Sequence, residues 1–139
     1  MFSTFDISAS ALRAQRVRMN VIANNVANSH TTRNADGEAI PFRRRMAIFM
    51  QGVPENGSKR DGVSVLDIME DPSDFRLEYN PDHPDAIKTG PEAGYVRMPN
   101  MHPIVEMVDF MEATRAYEAN VSIIEQTKTI GNAALQILS

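Results

Sequence analysis

Phe5, Leu12, Met19 and Val26 fall at intervals of seven, with Ile22 three residues after Met19. An apolar repeat of seven is the seam of a coiled-coil-like helix, and it predicts a helix from Ser3 to about Asn28, roughly 38 Å long. Ser3-Thr4-Phe5-Asp6 fits a capping box at its start. A second seam runs Met107, Phe110, Thr114, Tyr117, Val121, Ile124, Lys128, Gly131, Leu135, Leu138, in steps of three and four. It predicts a helix from His102 to about Leu138, roughly 50–55 Å long, with Pro103 in the first position, where no N–H is needed. Ile104, Val108 and Met111 add a second apolar stripe near its beginning.

Between about Ser29 and Asn100 the helical period disappears. Seven of the eight prolines and six of the seven glycines lie there, so the segment is rich in turns. Three short stretches have strand character: Phe42–Met50, apolar towards its end; Gly62–Glu70, rich in β-branched residues; and Phe75–Tyr79, which alternates. "NPDHPD" and "TGPEAG" mark tight turns ahead of a short fourth stretch, "YVRM". The expected fold is mainly α with a small β part. Long N- and C-terminal helices pair as a coiled coil (1–33 and 101–139), with an irregular antiparallel β element between them (34–100).

This architecture buries little. Two narrow-seamed helices cover only part of each other, so Phe5, Phe110, Tyr117, Leu135 and Leu138 are expected to need partners. Such a chain is marginal alone and stable in an assembly. Charge adds a reason for pairing. Residues 1–33 hold Arg13, Arg16, Arg18 and Arg33 against Asp6, a net of +3. Residues 101–139 hold five carboxylates against Arg115 and Lys128, a net of −3. Opposite signs favour contact, although two solvated faces carry the same counts.

Composition narrows the classes. The net charge is −4, which argues against a generic nucleic-acid binder. Cysteine is absent, which excludes disulfides and thiolate metal sites. The chain opens without a conventional signal peptide, and no apolar run approaches the roughly 18 residues of a membrane span. Nine methionines suit surfaces that adapt to several partners, and suit core filling equally. His30, His83 and His102 stand far apart; Asp71, Asp74, Asp82, His83 and Asp85 cluster, but beside prolines, which is turn chemistry. No phosphate loop, nucleophile elbow or thiol nucleophile occurs. Arg43-Arg44-Arg45 alternate faces if they lie on a strand. The reading is of a non-enzyme with no catalytic set, no metal and no cofactor.

The end of the first helix, "ANNVANSHTT", is loaded with asparagine, a poor helix former. Asn20, Asn24 and Asn28 are spaced by four and form one polar stripe beside the seam, while Asn25 points elsewhere. Amides both donate and accept, so they can fix register in a packed assembly where apolar contacts slide. That reading is strongest for Asn20 and Asn24; a frayed helix end also accounts for Asn28 and Asn25.

"SALRAQRVRMNVIANNVANSHTT" (10–32) resembles the N-terminal signature of the flagellar rod and hook axial proteins, and "FMEATRAYEANVSIIEQTKTI" (110–130) resembles their matching terminal helix. "FRLEYNPDHPDA" and "GYVRMPNMHPIVEMVDFMEA" also resemble a rod branch of that family. Ala11 and Val26 stand where relatives commonly have glycine and leucine; alanine there strengthens the helix by up to about 1 kcal/mol. The resemblance implies a bacterial structural protein of the proximal rod, a drive shaft crossing the periplasm. It would be exported through the flagellar type III apparatus without a cleaved signal peptide, its termini unfolded. It implies terminal helices packed around a central channel and contacts with further copies and with FliE, FlgB and FlgF, and with the inner-membrane ring. Subunit contacts would then use the apolar seam (Phe5, Leu12, Met19, Ile22, Val26, Met107, Phe110, Tyr117, Val121, Ile124, Leu135, Leu138) and the amides Asn20, Asn24, Asn25 and Asn28. The alternative is a soluble coiled-coil adaptor or export chaperone.

Overall fold

The apolar repeats become two helices, α1 (Phe2–Ala27) and α2 (Pro103–Leu138), in a computed structural model that describes residues 2–55 and 58–138. α1 already includes Phe2, so Ser3 lies within its first turn and is not its cap. At the other end the Asn28 amide donates to the Asn24 carbonyl at 2.9 Å and to Asn24 Oδ1 at 3.0 Å, closing the last turn. α2 opens as its proline demands: the His102 carbonyl accepts the first helical N–H bonds, from Val105 and Glu106.

Asn25 of α1 meets Glu106 of α2, Met19 meets Thr114 and Arg18 meets Glu112, so the two helices run antiparallel. Small side chains allow the approach. Ser8 and Ala14 of α1 and Ala113 of α2 are all buried. Half-buried positions on α2 include Asp109, Ala116, Asn120, Ile124, Thr127 and Gly131, which with Glu106 and Ala113 give a seam in steps of three and four.

The middle segment forms two separate two-stranded antiparallel sheets. β1 (Arg45–Glu55) pairs with β2 (Ser58–Glu70) in a long hairpin that packs on α1. Its register slips between Ile48 and Phe49 and again between Gln51 and Val53, where Gly52 takes φ +84°; such bulges bend and twist a hairpin. Ser10 fastens it to the helix, with Oγ accepting from the Val63 N–H at 3.1 Å and donating to the Ile7 carbonyl at 2.6 Å. Gly62 lies against Ser10 so closely that a Cβ would collide with its hydroxyl, and its φ of +126° suits only glycine. The smaller pair, β3 (Arg76–Tyr79) and β4 (Tyr95–Met98), turns Val96 and Met98 inward. Besides these two, the buried apolar side chains among the described residues are Ala14, Val21, Ile22, Met101 and Ala113. So light a core leaves specificity to polar contacts.

Candidate assembly interface

Those polar contacts converge where four chain segments meet. Asn25, only 1% exposed, donates from its Nδ2 to the Arg45 carbonyl at 2.8 Å and to Glu106 Oε2 at 2.9 Å, and its Oδ1 accepts from the Arg45 N–H at 3.0 Å. Both amide protons are thereby used. Glu106, equally buried, takes the Arg44 Nε on its other oxygen at 2.5 Å. Arg44 reaches on to Asp71 at 3.3 Å and Asp109 at 3.4 Å, and its N–H donates to Asn100 Oδ1 at 2.8 Å. Asn100 closes the circuit by donating to the Asp71 and Ser73 carbonyls and to Ser73 Oγ. One buried carboxylate thus joins α1, the base of the hairpin, the segment before α2, and α2 itself.

A buried carboxylate costs several kcal/mol to desolvate, so it survives only with donors that satisfy it. Burial pulls the Arg44 guanidinium towards losing its proton, but hydrogen bonds and charge from Glu106 and then Asp71 outweigh that and raise it. Asp71 is held below the ordinary carboxylate range, first by the backbone and side-chain hydrogen bonds of Ser73, then, against its partial burial, by Arg44. The three arginines face different partners, although only Arg45 lies on β1 and strand alternation does not reach Arg43 and Arg44. Arg43 lies 4.3 Å from the Phe75 ring centroid, Arg44 enters the lock, and Arg45 lies 5.7 Å from the Phe42 centroid.

The aspartates near prolines also work as structural ties. Asp85 accepts from Thr32 Oγ1 at 2.7 Å and pairs with Arg33 at 2.6 Å, and both bonds hold its carboxyl below the usual range. His83 Nδ1 accepts from the Asp85 N–H at 3.0 Å. Among the described residues no three His, Asp or Glu side chains are grouped to hold a metal ion, and no helix is long and apolar enough to cross a membrane.

The seam residues read from the sequence divide three ways. Ile22 is in the chain's own core; Phe5, Leu12, Met19, Val26, Tyr117, Val121 and Ile124 are half-buried; Met107, Phe110 and Leu135 are exposed. The side chain of Leu138 lies outside the described residues. Asn20 and Asn24 are exposed and Asn28 half-buried, but Asn25 is not available to a neighbouring subunit. Its amide faces inward because β1 enters beside it and takes two of its three hydrogen bonds, while Glu106 of α2 takes the third. Sequence reading missed Glu106, Arg44 and Asn100. The available signal was a lone carboxylate inside the apolar run Ile104-Val105-Glu106-Met107-Val108, since a charge among such neighbours is either a solvated interruption or a paired buried group.

α2 turns a second apolar stripe away from α1. Ile104, Met107, Val108 and Met111 share one face at helical spacing and are each more than half exposed, opposite Glu106 and Ala113. At the other end, the antiparallel pairing sets Phe2 level with about residue 130, so the final turns of α2 run past α1. Ile130, Leu135 and Ile137 are exposed there.

Residues 5–33 match the family described as flagella basal body rod protein, and residues 92–137 match the C-terminal family of the flagellar basal body rod FlgEFG proteins. Flagellar basal-body rod protein FlgC of Bacillus subtilis is 43% identical, over 98% of this chain and 97% of its own length. FlgC of Borreliella burgdorferi is 40% identical, over 99% and 97%. FlgC of Escherichia coli O6:H1 is 37% identical, over 94% and 92%. Nothing in these likenesses supports a soluble adaptor or export chaperone. A light core, exposed apolar faces at both ends of one long helix and near-full-length identity lead to one conclusion: the chain belongs to the FlgC family of flagellar basal-body rod proteins.

Proposed function

We propose that this structural component of the flagellar rod builds the rod's proximal part, as a segment of the drive shaft and of the wall of its export channel. The observation that carries the reading is the uncovered stripe of Ile104, Met107, Val108 and Met111 on a helix whose opposite face is already paired. An apolar stripe of that kind stays in water only until another subunit covers it. Residues 1–33 and 101–139 form the axial core, and 34–100 the outer part. Contacts between different patches on successive copies do not close into a ring and so propagate as a helical tube. The partners are further copies, the rod proteins FliE, FlgB and FlgF, the export apparatus and the inner-membrane ring. The protein reaches the periplasm through that apparatus without a cleaved signal peptide, and it has no catalytic role.

Val108→Glu tests this, because the side chain is exposed in the single chain and the substitution leaves the buried lock intact. The variant is expected to be made in normal amount, to keep its helical circular dichroism, and to be missing from isolated basal bodies. Full motility with normal incorporation would refute the reading.

A further inference from the structure

Nine methionines stand in a chain with neither cysteine nor tryptophan, so thioethers are the side chains that an oxygen-transfer oxidant attacks first here. The fold sorts them by access. Met98 and Met101 are sealed, at 7% and 3% exposure, and Met19, Met46 and Met50 are half-buried. Met69 on β2 and Met107 and Met111 on α2 stand open, at 52%, 59% and 55%. Only Met107 and Met111 lie on the stripe that the rod reading requires to be covered. They are four residues apart, one turn above the other. Packing does not call for sulfur there, since Ile104 and Val108 fill the same stripe with hydrocarbon.

We propose that Met107 and Met111 are a modification site, at which oxidation of the free subunit to methionine sulfoxide blocks its entry into the rod. The proposal rests on the rod reading and adds a regulation of the same face. The co-reactant is a hypohalous acid such as hypochlorous acid. The sulfur lone pair attacks chlorine, and the Cl–O bond breaks with loss of hydroxide. Water then adds to sulfur as chloride leaves, and two protons pass to solvent. Each sulfur gives up two electrons and gains one oxygen, while hypochlorous acid is reduced to chloride.

The product changes what the stripe can do. A sulfoxide turns an apolar side chain into a polar one with a strong acceptor oxygen. The other stripe residues, Ile104 and Val108, have no donor to offer it. Covering the stripe then strips water from that oxygen without replacing its bonds, and the oxidised subunit stays in solution. Methionine sulfoxide reductases reverse the change, so it acts as a switch. Once a neighbour covers the stripe the sulfurs are shielded, and the sensitivity ends with incorporation.

Two measurements test this. The purified full chain, held folded with sucrose, is titrated with sub-stoichiometric hypochlorous acid and its peptides are weighed by mass spectrometry. Met107 and Met111 are expected to gain oxygen at least about fivefold ahead of Met98 and Met101. In cells, the native chain and a differently tagged Met107→Leu, Met111→Leu chain are made together and pulsed with hypochlorous acid during rod assembly. Leucine is close to methionine in volume and takes no oxygen. Relative to unpulsed cells, the leucine form is expected to rise at least about threefold over the native form in isolated basal bodies. Competition within one cell cancels damage to other proteins, and Met69→Leu, which removes an exposed thioether outside the stripe, gives no such rise. The inference is overturned by Met98 and Met101 oxidising as fast as the stripe, by an unchanged ratio after the pulse, or by an equal rise for Met69→Leu. An unchanged ratio with both forms in the basal bodies leaves the rod reading standing; a native chain missing from the basal bodies of unpulsed cells removes both.

Discussion

Asn25→Ala removes the amide that joins α1 to both the hairpin and α2. Two of its bonds are to the backbone of Arg45, at 2.8 and 3.0 Å, and each contributes about 1 kcal/mol. The third, 2.9 Å to the buried Glu106 carboxylate, is a bond to a charged group and contributes about 2 kcal/mol. The expected loss is roughly 4 kcal/mol, a large fraction of the 5–15 kcal/mol typical of a domain. Asn24, its neighbour of the same type, is exposed and its side chain accepts one exposed bond from Asn28, so Asn24→Ala should cost less than about 1 kcal/mol. Urea unfolding followed by circular dichroism separates the two, with sucrose added to give the parent protein a folded baseline. For an m-value of about 1–3 kcal/mol/M, Asn25→Ala lowers the midpoint by roughly 1.3–4 M. A loss below about 1 kcal/mol, or an equal loss for Asn24→Ala, would refute the claim that the buried amide organises the fold.

Other perturbations test the neighbouring contacts. Gly62→Ala places a methyl group on Ser10 and imposes a backbone conformation that alanine resists, so it should cost about 1–3 kcal/mol by thermal unfolding; a neutral change would show that the hairpin does not pack on α1 there. Arg18→Gln breaks a 3.4 Å surface pair with the mostly exposed Glu112 and should change stability by less than about 1 kcal/mol, a larger loss meaning that helix pairing depends on charge. Asp71 has a folded pKa below its unfolded one, so its contribution is complete above the ordinary value of 3.8 and drains away as pH falls through and below it. Acid titration monitored by hydrogen exchange at the hairpin base should show that loss, and Asp71→Asn should flatten it; the same acid slope in the variant would discount Asp71.

How far the candidate site could be read from sequence differs between its parts. The apolar stripe of Ile104, Val108 and Met111 was legible, because helical spacing alone puts those residues on one face. The acidic residues of α2 were legible only as a net charge. Whether Glu106 meets water or a guanidinium depends on Arg44, which arrives from 62 residues earlier in the chain. The amide run shows the same division: counting by four groups Asn20, Asn24 and Asn28 correctly, yet the residue left out of the stripe is the one that is buried.

Local chemistry therefore determined the elements. The seven-residue repeats, Pro103 at a helix start, the clustered prolines and glycines and the β-branched stretches specified two long helices and four strands, because each signal acts within a few residues. The two hairpin strands proved longer than their patterns, since pairing extends them through two bulges to Glu55 and from Ser58. Tertiary structure decided the rest: which face of α2 meets α1, which asparagine turns inward, and that one carboxylate becomes the hub of the fold. Such choices depend on groups far apart in sequence satisfying one another's bonds, and no local pattern records which distant partner will be there.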